Sequence, residues 1–193
     1  MLSHAHPWTG GCRSGGNSAA PIGRPLPSVH GRALGEEVAL FMSTYVNKVD
    51  RKGRVSVPAT FRAAVADQGY PGIVAFPSPR YDALEASGMK RMDEIIARMD
   101  ALEEYSDEYE KLKTLFAEAH QLPFDTEGRI VLPENLIDYA HIGDSAAFVG
   151  VGRSFEIWEP AHYGDHRATL RDRTRQQGIR LPPLSGPAQR GRE

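Results

Sequence analysis

Asp50-Arg51-Lys52-Gly53-Arg54 runs into Val55-Ser56-Val57-Pro58, and Asp125-Thr126-Glu127-Gly128-Arg129 runs into Ile130-Val131-Leu132-Pro133. In both stretches an Asp is followed at the third, fourth and eighth places by Gly, Arg and Pro, and the two begin 75 positions apart. A repeat at that separation marks a duplicated structural unit. Ahead of the first copy, Tyr45-Val46-Asn47-Lys48-Val49 is rich in strand formers, and Val55 to Val57 forms a second short strand. Between them the Asp side chain can accept from backbone amides two residues on, and Gly53 can take a positive φ without steric cost. The expected local structure is a tight hairpin, a type I turn closed by a glycine bulge. Its tip carries Arg51 and Lys52, with Arg54 at the start of the return strand. Pro58 suits the first turn of a helix, here through Thr60 to Val65 and stopping near Gly69. Pro133 opens the equivalent helix through Leu136 and Ile137, ending near Gly143.

Further along, Gly72 to Phe76 reads as a buried strand and matches Ala146 to Gly150 in the second unit. Tyr81 to Glu85 is then expected to match Phe155 to Glu159, at an offset of 74. Between the units, Met89, Met92, Ile95, Ile96, Met99 and Leu102 share one helical stripe. Ser106 followed by Asp107 and Glu108 reads as an N-cap with acids in the first turn. The helix it starts carries Tyr109, Leu112, Leu115, Phe116 and Ala119 on one face, so a helical hairpin is expected to link the repeats. The methionine stripe reads as packing surface.

The expected organisation is therefore an extension at residues 1–37, a first unit at 43–88, the hairpin at 89–118, a second unit at 119–165 and a basic segment with a tail at 166–193. The opening residues are rich in Gly, Pro, Ser and His without a period of 2 or 3.6, which reads as disorder. Ordered chain is expected from Val38-Ala39-Leu40-Phe41, and a translation start at Val38 or Met42 would explain the break. From Gly164 a helix with Arg167, Arg171, Arg173 and Arg175 is expected, followed by a disordered tail from Leu181.

A net charge of −2 gives no global attraction to nucleic acid, so such a partner must be met by a local patch. The single cysteine, Cys12, permits no disulfide framework. The start lacks a signal peptide's apolar core, and no run approaches a membrane span. His162 and His166 lie four apart without an adjoining Glu and read as a solvated helix face rather than a metal site. No metal or cofactor is expected. Two equivalent aspartates on duplicated β units invite comparison with a protease whose carboxylates share a proton. Glu127 stands where that chemistry needs Gly, however, and an Arg four places on favours the ionised form.

The turns remain the strongest candidates. Arg presents a planar fork of donors that fits phosphate or a guanine edge, and a two-stranded ribbon can enter the major groove. A purely structural alternative has Arg54 and Arg129 pairing with Asp50 and Asp125 to brace each hairpin. Thr126 and Glu127 replace Arg51 and Lys52 in the second copy, which weakens its electrostatic case.

The run Val49 to Arg62, the second Asp-x-x-Gly-Arg and Phe155-Glu156-Ile157-Trp158 together resemble the MraZ transcriptional regulators over about residues 38 to 165. The resemblance implies an α+β fold of two tandem AbrB-like (SpoVT-AbrB, swapped-hairpin, double-psi-barrel-like) units. It implies a bacterial, non-enzymatic protein of the cytoplasm and nucleoid that binds short direct repeats in double-stranded promoter DNA. The regulated genes would be the division and cell-wall cluster, and the protein would assemble as a ring-shaped homo-oligomer. It maps the family's basic turn residues onto Lys52 and Arg54, and onto Arg129 in the second repeat, with Arg51 in the same loop. Asp50, Gly53, Asp125 and Gly128 would shape the turns. The competing expectation is a ring that serves only as a scaffold for protein partners.

Overall fold

The computed structural model describes residues 40–180. The expected extension at 1–37, a start at Val38 and the tail from Leu181 fall outside that range. Among the described residues the first unit contributes β1 (Thr44–Lys48), β2 (Arg54–Ser56), α1 (Ala59–Val65), β3 (Gly72–Pro77), β4 (Leu84–Ser87) and α2 (Met89–Met99). After α3 (Asp107–Glu118) the second contributes β5 (His120–Pro123), β6 (Arg129–Val131), α4 (Glu134–Tyr139), β7 (Ser145–Gly150), β8 (Phe155–Trp158) and α5 (Pro160–Gln177). The class is α+β.

Six strands form one antiparallel sheet in the order β1-β7-β8-β4-β3-β5, and β2 pairs separately with β6. The order is unchanged when the two units are interchanged. Each unit lends its first strand to the other: β1 lies on β7 with Thr44 opposite Val149, and β5 lies on β3 with His120 opposite Ala75. A local twofold relation runs through the pairs Val55–Ile130 and Glu85–Glu156, which join equivalent residues of the two units.

One register differs from expectation. Leu84, not Tyr81, is the counterpart of Phe155, 71 positions later, and β4 and β8 share the same sequence of buried and half-buried positions. The loop from Ser78 to Ala83 is two residues longer than its counterpart, closed by the Ser78 amide donating to the Ala83 carbonyl at 2.8 Å. Tyr81 therefore sits in the loop, and the fully buried Leu84 fills the strand position.

The main core lies between one face of the six-stranded sheet and a layer made of β2, β6, α1 and α4. Phe41, Phe61 and Phe155 meet at its centre with ring centroids 5.0 to 5.3 Å apart. Full burial of such rings is among the largest favourable contributions available to a domain this size. Phe41 is tied in by its amide donating to the Gly152 carbonyl at 2.7 Å. On the opposite face, α2 and α3 cover Val74 and Phe76 through Met89, Met92, Ile95, Leu115, Phe116 and Ala119. Ser106 caps α3, its hydroxyl accepting from the Tyr109 amide at 3.3 Å. Of the stripe on α2 only Met92 is fully buried, and α3 buries no residue fully, so this hairpin is half covered.

The short helices behave as the prolines dictate. Pro58 and Pro133 occupy the N-cap positions, and their carbonyls accept from Phe61 and from Leu136 respectively. The helices end at Val65 and Tyr139, earlier than the following glycines. The C-terminal helix starts before Gly164, at Pro160. Proline is pre-set for the first helical position, and the Glu159 carboxylate accepts from the His162 amide at 2.8 Å. Its first turns anchor to the outer sheet face, where Tyr163 packs on Ala147, Val149 and Trp158. His166 is not on a solvated face: its ring stacks on Trp158 at 4.9 Å and meets Tyr81 at 4.5 Å.

Candidate nucleic-acid interface

The first turn is built by Asp50. Its carbonyl accepts from the Gly53 amide at 2.9 Å and its amide donates to the Arg54 carbonyl at 3.0 Å. One carboxylate oxygen accepts from the Lys52 and Arg54 amides at 2.9 and 3.0 Å. The other accepts from Arg54 Nε at 2.6 Å. The second turn repeats this arrangement. Asp125 accepts from the Glu127 and Arg129 amides, both at 2.9 Å, and from Arg129 Nε at 2.8 Å. Gly53 and Gly128 have φ of +72° and +73°, the left-handed conformation that a glycine bulge requires.

These contacts fix the ionisation of both aspartates. The Arg54 amide, aided by the Lys52 amide and the Arg54 guanidinium, holds the Asp50 carboxyl below its ordinary value. The Arg129 amide and guanidinium do the same for Asp125. Both carboxylates are acceptors that tie the ends of their own turns together. In turn the hydrogen bond to Asp125 raises the Arg129 guanidinium, with Glu127 and Asp50 adding to the field.

The ladder between β2 and β6 brings the two turns together. Arg54 lies opposite Val131, Val55 opposite Ile130 and Ser56 opposite Arg129. The antiparallel pairing places the two arginines at opposite ends of a three-residue ribbon, roughly 7 Å apart along the strands. Each turn is braced by the other unit: the Gly53 carbonyl accepts from the Leu132 amide at 2.9 Å, and the Gly128 carbonyl from the Val57 amide at 3.1 Å.

The charges of the two tips differ. Arg51 and Lys52 are exposed and form no ion pair among the described residues, while Arg54 is 39% exposed beside Asp50. Arg129 is held between two carboxylates, Asp125 at 2.8 Å and Glu127 at 2.7 Å. The first tip is thus cationic and the second has its one arginine neutralised.

Arg62 is a further cation at this surface, not singled out by the repeat. A methyl group placed on Gly128 would fall 2.5 Å from its guanidinium carbon, and its Nε donates to the Val57 carbonyl at 3.2 Å. The 75-residue offset makes Ile137 its counterpart, over Gly53. Only the strand exchange reveals that α1 of one unit overhangs the turn of the other.

The family described as "MraZ protein, putative antitoxin-like" matches residues 115–178. The chain is 39% identical over 144 residues to the Transcriptional regulator MraZ of Rickettsia bellii strain OSU 85-389, covering 74% of this chain and 96% of that protein. It is 42% identical over 128 residues to the protein of the same name from Rickettsia akari, covering 66% and 86%. With the counterpart from Rickettsia canadensis it shares 43% over 125 residues, covering 64% and 84%. On this similarity, spread over nearly the whole length of such relatives, the chain belongs to the MraZ family.

Proposed function

We propose that the protein is a transcriptional regulator that binds double-stranded DNA in a sequence-specific way through its paired turns. The observation that carries this reading is the ribbon on which two braced hairpin tips are displayed, one of them presenting Arg51 and Lys52 to solvent with the half-exposed Arg54 held beside Asp50. Lys52 and Arg54 are the base-reading candidates, with Arg51 and Arg62 meeting phosphates. Arg129 contributes less, because Glu127 competes for it. A single tip offers few contacts, and assembly into a ring of like subunits would sum them. The tandem units correspond to AbrB-like swapped-hairpin domains, as the exchange of β1 and β5 supports. Promoter direct repeats ahead of division and cell-wall genes are the proposed target, and the cytoplasm and nucleoid the proposed location. No reaction is assigned to the chain.

A gel shift against DNA upstream of the protein's own coding sequence tests the reading, with scrambled DNA as control. Arg51→Gln with Lys52→Gln should weaken binding at least tenfold, and Arg54→Ala should abolish the preference for upstream DNA. The mass in light scattering should not change in either variant. Equal affinity for scrambled DNA in the unsubstituted protein would refute the proposal.

The half-covered hairpin favours a second reading, a scaffold for protein partners. Ile96, Leu102 and Tyr105 are 44%, 36% and 77% exposed. A protein that assembles normally yet shows no DNA preference would support it.

A further inference from the structure

The last three turns of α5 face solvent: from Arg167 to Arg180 every residue is exposed. Yet this segment concentrates the chain's positive charge. Residues 160–180 hold five arginines and two aspartates, a net +3, which leaves −5 on the rest of a chain totalling −2. Arg167, Arg171 and Arg175 recur at every fourth place, so they share one helical stripe roughly 12 Å long. Like charges at that spacing oppose the helix. Among the described residues only Arg175 of the three forms an ion pair, with Asp172 at 3.3 Å, and that pair is 78% and 67% exposed. Arg167 lies over the Tyr163 ring at 5.8 Å. The polar and apolar residues of this stretch are not segregated into faces, which argues against a membrane surface or an apolar groove as its partner.

The root of the helix is fixed. Tyr163 and His166 are clamped onto Trp158 and Tyr81 on the outer face of the sheet. The turns stand on the other face, above the core layer of β2 and β6. The pseudo-symmetric counterpart, α2, has α3 as a packing partner; α5 has no such helix beside it among the described residues.

We propose that α5 is a second nucleic-acid contact, in which Arg167, Arg171 and Arg175 grip the phosphates of a duplex stretch other than the one the turns read. This rests on the DNA-binding reading above and extends it to the opposite side of the sheet. A stripe of that length spans roughly three phosphates of one strand, at about 3.4 Å of axial rise each. The contact is electrostatic and indifferent to sequence, so it adds affinity and salt dependence without adding preference.

The test uses the full chain and the combined substitution R167Q/R171Q/R175Q. Fluorescence anisotropy is read over a salt series on two upstream probes, one limited to the footprint of the turns and one extended on both sides by about two helical turns. The unsubstituted protein should bind the long probe more tightly and with a steeper slope of log K against log salt. The substituted protein should lose that gain, its slope on the long probe falling by about 2 to 3 at ~0.9 per lost phosphate contact. Its ratio of upstream to scrambled affinity should not change. Identical slopes and affinities in the two proteins would overturn the inference while leaving the turn-based reading intact. A fall in oligomer mass on substitution would also overturn it, making α5 a subunit contact. Failure of the unsubstituted protein to bind either probe would overturn both readings.

Discussion

Asp50 decides the shape of the cationic tip, and its chemistry sets a pH limit. Its folded carboxyl titrates below the ordinary aspartate range because amides and the Arg54 guanidinium favour the ionised form. A depressed carboxyl contributes stability that is complete above the unfolded value and is lost as pH falls through the folded one. Asp125 adds in the same direction. Thermal midpoints followed from neutral pH into the acid range should therefore decline, and Asp50→Asn should flatten part of that decline. A second residue-scale expectation separates the two bulge glycines. An alanine at either site carries the left-handed backbone penalty, about 1–2 kcal/mol. At Gly128 the new methyl meets the end of the flexible Arg62 side chain, whereas at Gly53 it falls 2.6 Å from the Leu132 carbonyl oxygen. Urea unfolding should show Gly53→Ala costing about 1–3 kcal/mol more than Gly128→Ala, the usual range for overpacking.

Where β4 meets β8, the pseudo-twofold relation sets Glu85 directly opposite Glu156. Each finds a local donor, Ser78 Oγ at 2.9 Å and Trp158 Nε1 at 2.8 Å. Like charges in directly opposed strand positions are unfavourable, so Glu85→Gln should raise stability by about 0.2–1 kcal/mol in chemical denaturation. These elements also show what the sequence made legible. The turns, the proline-led helices, the Ser106 cap and the order of elements in each unit followed from local chemistry, because each depends on residues within a few places of one another. The strand register after Tyr81 did not. An aromatic residue looked like the partner of Phe155, and only the closure of the Ser78–Ala83 loop assigns that position to Leu84. Helix spacing does not reveal the packing of His166 for a related reason: its stacking partners, Trp158 and Tyr81, lie on other elements. Nothing in the repeat marks Arg62, because its neighbour Gly128 belongs to the other unit.

Across the whole molecule, the exchanged strands make the two units dependent on each other. Neither β1 nor β5 pairs with a strand of its own unit in the six-stranded sheet, and the ribbon at the turns takes one strand from each. A half chain has nothing to close upon except another half chain. A fragment of residues 40–106 should therefore sediment as a homodimer, with monomers that are unfolded by circular dichroism when diluted below its dissociation constant. Such a dimer would carry two identical cationic tips. Continuity of the polypeptide forbids that outcome in the intact protein: every ribbon is obliged to join one cationic and one acid-tempered tip, so the scaffold is nearly symmetric while its electrical polarity has a fixed head and tail.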